Sequence, residues 1–340
     1  MKIHFTPHWL EFKHPFTLSV GSRTHTPIVI TEIEHEGFIG FGEASMPPYL
    51  GESHESVVAF LQKAKNILEK ISGDFSIENI MLEIDALEKN NTAAKASVDI
   101  ALHDLQGKIK NKPCYEILSI NPSNMPLTFF TLGMDEPKVL EEKIKEADEW
   151  KILKIKLGSE NDKKRIEFIR SITDKPIAID VNQGWKDKFF VYDMLCWLKE
   201  KNILFVEQPM PKEMKEEMQW LKEKSPVLLF GDESVQRLND ITEAAQIFHG
   251  INIKLMKCTG MSEAIKMIER ARELNLKIMI GCMSETSCAN AAAAQLAPLT
   301  DWADLDGPAL IKKDLFSGFE VKNGKVKPNN LPGIGVYLKK

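Results

Sequence analysis

Five short apolar runs, each closing on or carrying charge at a nearly constant interval, constrain this 340-residue chain more than any other feature. Lys151–Gly158 alternates, so Lys154 and Lys156 share one face while Leu153, Ile155 and Leu157 take the other. Pro176–Asp180, Ile203–Glu207 and Val227–Asp232 each end on a carboxylate, and Ile251–Lys254 ends on an amine. The steps are 26 residues from Lys154 to Asp180, 27 to Glu207, 25 to Asp232 and 22 to Lys254. Each step has room for one strand, one helix and two loops. The runs are short and rich in β-branched residues, as expected of parallel strands buried on both faces. In a parallel α/β barrel such strand ends gather on one rim, and that rim carries the active site.

The pattern predicts eight barrel strands, near 127–132, 152–157, 177–181, 203–206, 227–231, 251–254, 277–281 and 302–305. Upstream the composition changes. Strands are expected first, at Phe16–Val20, Pro27–Ile33 and Gly37–Gly42, with a polar turn over Gly21–Thr26. Helices follow at 53–72, 76–89 and 92–111; the last places Ala94, Val98, Ala101 and Leu105 on one stripe. Strict alternation begins only after about residue 125, which marks a domain boundary. The division expected is residues 1–124, an N-terminal α+β domain; 125–318, the barrel; and 319–340, a segment returning to the first domain.

A formal net charge of −5, with no clustered basic stripe, gives no electrostatic footprint for nucleic acid, so small molecules are the expected partners. The five cysteines are odd in number and form no C-x-x-C pair, which argues against a disulfide framework or structural zinc. The N-terminus has no apolar core of a signal peptide and no apolar run is long enough to span a membrane. A cytoplasmic location is expected.

Asp180, Glu207 and Asp232 on successive strand ends cannot all remain ionised without a compensating cation. Oxygen ligands alone, with no nearby His or Cys, select a hard ion such as Mg²⁺. Read singly, each carboxylate is as well explained by a helix cap or a lysine partner; the register of all three favours the metal. Lys154, Lys156 and Lys254 lie in or end apolar runs, although lysine is rarely buried unpaired. Beside a divalent ion a lysine can lose its proton and act as a base. Lys257, just past a strand end, is read as surface charge. Asp304 and Asp306, at i and i+2 of an extended segment, face one way and suit a substrate ammonium group, or equally an Asp-rich turn before Gly307-Pro308. His4 and His8 have a metal-like spacing, but Pro7 excludes a helix there. Gly281–Cys288 reads as a pocket-shaping loop, since no histidine lies close enough in sequence to activate its thiols.

The ordered set Lys154-x-Lys156, Asp180-Val-Asn, Glu207-Gln-Pro, Gly-Asp232-Glu-Ser and Asn-Ile-Lys254 resembles the enolase superfamily, in its muconate-lactonizing-enzyme-like subgroup. Met283-Ser-Glu-Thr286 and Asp304-x-Asp306-Gly are similar to the dipeptide epimerases of that subgroup, the relatives of L-Ala-D/L-Glu epimerase. The resemblance implies a modified TIM barrel, (β/α)7β, with an α+β capping domain formed by the N-terminal part and the C-terminal tail. It implies Mg²⁺ held by Asp180, Glu207 and Asp232, with Lys156 and Lys254 as the two acid/base catalysts. Lys154 would support Lys156 and the substrate carboxylate, and Asp304 and Asp306 would hold a dipeptide's free amine. Met283 and Ser284 would contact the substrate. Arg23 is a candidate partner for an acidic substrate side chain, whereas Tyr49, Leu50 and Met283 suit an apolar one.

The activity implied is epimerisation at the α-carbon of the C-terminal residue of a dipeptide, by two-base proton transfer through an enolate. An isomerase of this kind takes a small-molecule dipeptide, neither nucleic acid nor membrane, and admits a homo-oligomeric assembly. The alternative is a lyase or cycloisomerase of the same superfamily, o-succinylbenzoate synthase-like or muconate-cycloisomerase-like; a third reading is a non-catalytic ligand-binding barrel. One departure stands out: relatives often carry paired glycines after the sixth-strand lysine, where this chain has Thr259-Gly260.

Overall fold

The computed structural model describes residues 1–18 and 21–339. An antiparallel sheet comes first, in the order β1 (Lys2–Leu18), β2 (Gly21–His35), β3 (Phe38–Ser45). Two expectations need correcting here. The first strand begins at Lys2, not Phe16, and Ile3, Leu10 and Phe12 along it are buried between polar residues; Pro7 is tolerated because β1 is an edge strand. The polar stretch over 21–26 is the start of β2, not a turn, with Arg23 opposite Phe16 in register. Ser19 and Val20 lie outside the described residues. His4 and His8 sit on β1.

Two helices cover this sheet, α1 (His54–Leu68) and α3 (Thr92–Ile109), and α2 (Ile77–Asp85) packs against both. Helix α3 is buried almost all round, not along one stripe. It lies backbone-close on β3, where a Cβ at Gly40 would come within 2.1 Å of the Ala101 carbonyl oxygen, and one at Gly42 within 1.8 Å of that of Ser97. Only glycine permits that approach.

Eight parallel strands follow, each alternating with helix: β4 (Phe129–Leu132), β5 (Ile152–Lys156), β6 (Ile177–Asp180), β7 (Ile203–Glu207), β8 (Leu228–Gly231), β9 (Gly250–Lys254), β10 (Lys277–Gly281) and β11 (Trp302–Asp304). They pair in chain order. The ring is completed where Ala303 N donates to the Leu127 carbonyl, beside a Thr128–Ala303 bridge. All eight strands fall within a few residues of the positions expected, giving a modified TIM barrel with an N-terminal antiparallel cap.

The tail divides its contacts. Phe316–Ser317 pairs with Tyr337–Leu338, Phe316 packs edge-on against Phe41, and Ile334 N donates to Asp104 of α3. The hairpin Val321–Lys322/Lys325–Val326 instead meets the start of the barrel, where Thr128 N donates to the Gly324 carbonyl. No helix among the described residues is long and apolar enough to cross a membrane.

Candidate active site

Period-two alternation assembles the site in layers. Phe129, Ile152, Ala178, Phe205, Phe230 and Met279 point into the barrel as an apolar floor, with the Phe205 and Phe230 rings stacked at 4.2 Å. Two residues further along each strand lie Thr131, Lys154, Asp180, Glu207, Asp232 and Gly281, on the same inward face. The floor is apolar and buried, so the charged layer above it sits in a low-dielectric setting where its interactions are strong.

Asp180, Glu207 and Asp232 each bring a carboxylate oxygen within 4.8 Å of the other two, and all three side chains are buried. Each also has one oxygen held by a neighbouring group. Asp180 Oδ1 accepts from Asn182 N at 2.9 Å, Glu207 Oε1 from Asn252 Nδ2 at 2.8 Å, and Asp232 Oδ1 from Lys257 Nζ at 2.5 Å. The remaining oxygens face the lysines. Asp180 Oδ2 lies 2.6 Å from Lys156 Nζ and 3.2 Å from Lys154 Nζ; Asp232 Oδ2 is 2.8 Å from Lys254 Nζ. Glu207 Oε2 accepts no hydrogen bond, although Lys154 Nζ is 2.8 Å away. Burial and then the Asp180 charge push the Glu207 carboxyl up to about 7. Burial also works against Asp232, but Lys254 and Lys257 overcome it and hold that group well below the usual carboxylate range. Three buried, converging oxygens, one without a hydrogen-bond partner, fit a hard divalent cation.

Lys156 ends β5 and Lys254 ends β9, with β6, β7 and β8 between them. In a ring of eight that places the two amines on opposite sides of the carboxylate trio. Burial lowers the pKa of Lys254, but the Asp232 carboxylate together with Tyr49 and Glu207 outweighs it, and the amine titrates well above an ordinary lysine. A base needs the reverse. A divalent ion among the same carboxylates would cancel the field that keeps this proton in place.

Lys154 is wholly enclosed. Its amine contacts Asp304 at 2.7 Å, Glu207 at 2.8 Å and Asp180 at 3.2 Å. Lys257 overturns its expectation as surface charge: it is fully buried, donating to Asp232 Oδ1, the Asp232 carbonyl at 2.7 Å and the Asn252 carbonyl at 2.9 Å. The turn after β9 folds it back under its own strand. Its three-residue offset from Lys254 was the available signal; Asn252, two residues before Lys254 on the inward face, gave another.

A cavity of about 490 Å³ opens above this layer, lined by Arg23, Tyr49, Lys154, Lys156, Lys254, Met283, Ser284, Asp304 and Asp306 among others. Asp304 Oδ2 takes Lys154, leaving Oδ1 buried with no partner. Asp306 Oδ2 accepts from Thr131 N at 2.6 Å, and burial reinforced by Asp304 pushes its carboxyl up to about 7. Arg23 is half-buried near the start of β2 with Nη1 unpartnered, and burial lowers its pKa.

The loop bearing Met283 and Ser284 is fastened from the cap: Ser45 Oγ donates to the Ser284 carbonyl at 2.9 Å, and Glu43 accepts from Thr286 N and Oγ1. Tyr49 Oη reaches Met283 Sδ at 3.3 Å. Leu50 packs against the core and does not line the cavity. Neither does Thr259: it holds φ of +63° and donates to Glu263 at 3.3 Å, while Gly260 packs on Asp99 of α3. The departure from paired glycines therefore falls at the joint between cap and barrel. All five cysteines are free, and burial raises the Cys282 thiol far above its ordinary value, against a nucleophilic role. Glu233, beside Asp232, also faces the cavity with one buried oxygen unpartnered; the sequence reading missed it.

Residues 139–340 match the enolase C-terminal domain-like family, and residues 3–119 match the N-terminal domain of the mandelate racemase/muconate lactonizing enzyme family. An L-Ala-D/L-Glu epimerase from Bacteroides thetaiotaomicron is 54% identical over 337 residues, covering 99% of this chain and 88% of that protein. An L-Ala-D/L-amino acid epimerase from Pedosphaera parvula is 35% identical over 332 residues, 95% of each. The crystal structure of a dipeptide epimerase from Enterococcus faecalis, complexed with Mg and L-Leu-L-Tyr, superposes with a TM-score of 0.91 at 29% identity, covering 98% of both chains.

Proposed function

Since the chain belongs to the enolase superfamily, in the mandelate racemase/muconate lactonizing enzyme family, we propose that it is an Mg²⁺-dependent dipeptide epimerase of the L-Ala-D/L-Glu type. The class is isomerase and the cofactor is Mg²⁺. Asp180, Glu207 and Asp232 would hold the ion, which when bound offsets the charge that develops on the substrate carboxylate as the α-carbon loses its proton. Lys156 removes the α-proton from one face and Lys254 delivers a proton to the other; the roles exchange for the opposite diastereomer. Asp304 Oδ1 and Asp306 receive the dipeptide's ammonium group. Arg23 pairs with a glutamate side chain at the cap end of the cavity. Residues 1–124 together with 319–340 act as the cap over the barrel of 125–318, and the five free thiols suit a reducing, cytoplasmic location.

The observation that carries this reading is the pair of lysines on opposite staves with three carboxylates between them. Incubation in D₂O with Mg²⁺ and a dipeptide library tests it. Deuterium entering the C-terminal residue's α-carbon, with inversion, is expected; silence across the library would leave a lyase or a binding barrel. The unpartnered Asp304 Oδ1 favours a cationic substrate group over the anionic substrates of lyases and cycloisomerases of this fold.

A further inference from the structure

We propose that Lys257 is a positioning residue that confines Asp232 to ligation through one oxygen and thereby sets the metal site for Mg²⁺ against Ca²⁺. The inference rests on the metal reading of Asp180, Glu207 and Asp232. Lys257 is fully enclosed, and its three N–H donors are all taken: by Asp232 Oδ1, the Asp232 carbonyl and the Asn252 carbonyl. It has no donor left for substrate, so it cannot act as Lys254 does. Its effect passes through Asp232.

The same device recurs at each ligand. Asn182 N holds Asp180 Oδ1, and Asn252 Nδ2 holds Glu207 Oε1, so each carboxylate has one oxygen fastened to a group other than the cavity lysines. Of the three ties, only that of Lys257 carries charge. Mg²⁺ keeps octahedral geometry with short bonds and several open positions, whereas Ca²⁺ takes more oxygens and readily accepts both from one carboxylate. An oxygen already accepting from an enclosed ammonium is the poorer second ligand, so the Lys257 tie biases Asp232 toward ligation through Oδ2 alone. Removing Lys257 also removes a positive charge near the ion, but that change acts on both divalent ions alike and cancels in the ratio of their affinities.

The test is calorimetric titration of wild type and Lys257→Met with MgCl₂ and with CaCl₂, thermal melting serving as the check on folding. The preference for Mg²⁺ over Ca²⁺ is expected to fall by about tenfold or more in the variant, the scale on which partners of metal ligands act. An unchanged ratio in a folded variant overturns the proposal. Absence of Mg²⁺ binding by the wild type would instead remove the metal reading beneath it. Should the variant not fold, wild-type crystals soaked in CaCl₂ decide: Asp232 bound through one oxygen with Lys257 still on Oδ1 upholds the inference, and two-oxygen ligation sinks it.

Discussion

Replacing either cavity lysine by alanine separates the two half-reactions. Lys254→Ala withdraws an amine 2.8 Å from Asp232 Oδ2, yet Lys257 remains 2.5 Å from Oδ1. Lys156→Ala withdraws one 2.6 Å from Asp180 Oδ2, where Lys154 stays at 3.2 Å. Breaking a buried ion pair outright costs about 3–5 kcal/mol. Because each carboxylate keeps a second cation, the stability loss should fall below that range and both variants should fold. Activity behaves otherwise. A positioned acid or base contributes about 10²–10⁴ in rate, and one turnover of epimerisation uses both lysines, so each variant should lose epimerisation by at least that factor. Half-reactions survive. Proton NMR in D₂O on each diastereomer separately should show Lys254→Ala washing out the α-proton of one diastereomer only, without inversion, and Lys156→Ala that of the other. A loss of only a few-fold, or both variants exchanging the same diastereomer, would refute the two-base geometry.

Asp304→Asn should raise KM for dipeptides by one to two orders of magnitude, about 1.5–3 kcal/mol for a lost charged hydrogen bond, while a lyase substrate without an amine would barely notice; steady-state kinetics with a dipeptide and its N-acetyl derivative checks this. Arg23→Gln should weaken kcat/KM for a Glu-terminated dipeptide by about tenfold or more and leave a Leu-terminated one within a few-fold; equal losses on both would remove Arg23 from specificity. Glu285 is buried where its carboxyl is pushed up from 4.5 to about 8, first by burial and then by the Glu43 charge. The folded state therefore keeps a proton that the unfolded chain has lost between those values. That contribution to stability is complete below about pH 4.5 and disappears as pH rises through about 8. Glu285→Gln, which preserves an acceptor for Met283 N, should flatten the decline in melting temperature between about pH 4.5 and 8; an unaltered slope would place the titration elsewhere.

Much of this molecule was written in local pattern. Strand-like runs and a step of one strand plus one helix located all eight staves; alternation put Lys154 and Lys156 on one face, because successive side chains of a strand must point opposite ways, and the strand ends put Asp180, Glu207, Asp232 and Lys254 on one rim. What local pattern could not decide was which second atom each group meets. Lys257 looks like any solvated lysine until the turn after β9 carries it beneath Asp232; Arg23 looks like a turn residue until β2 extends through it. Lys154 pairs with Asp304 from 150 residues away. Such contacts depend on ring closure and on the seat of the cap, which bring distant segments together. The direction of a side chain is set by its own backbone, but its partner is set by everything folded around it.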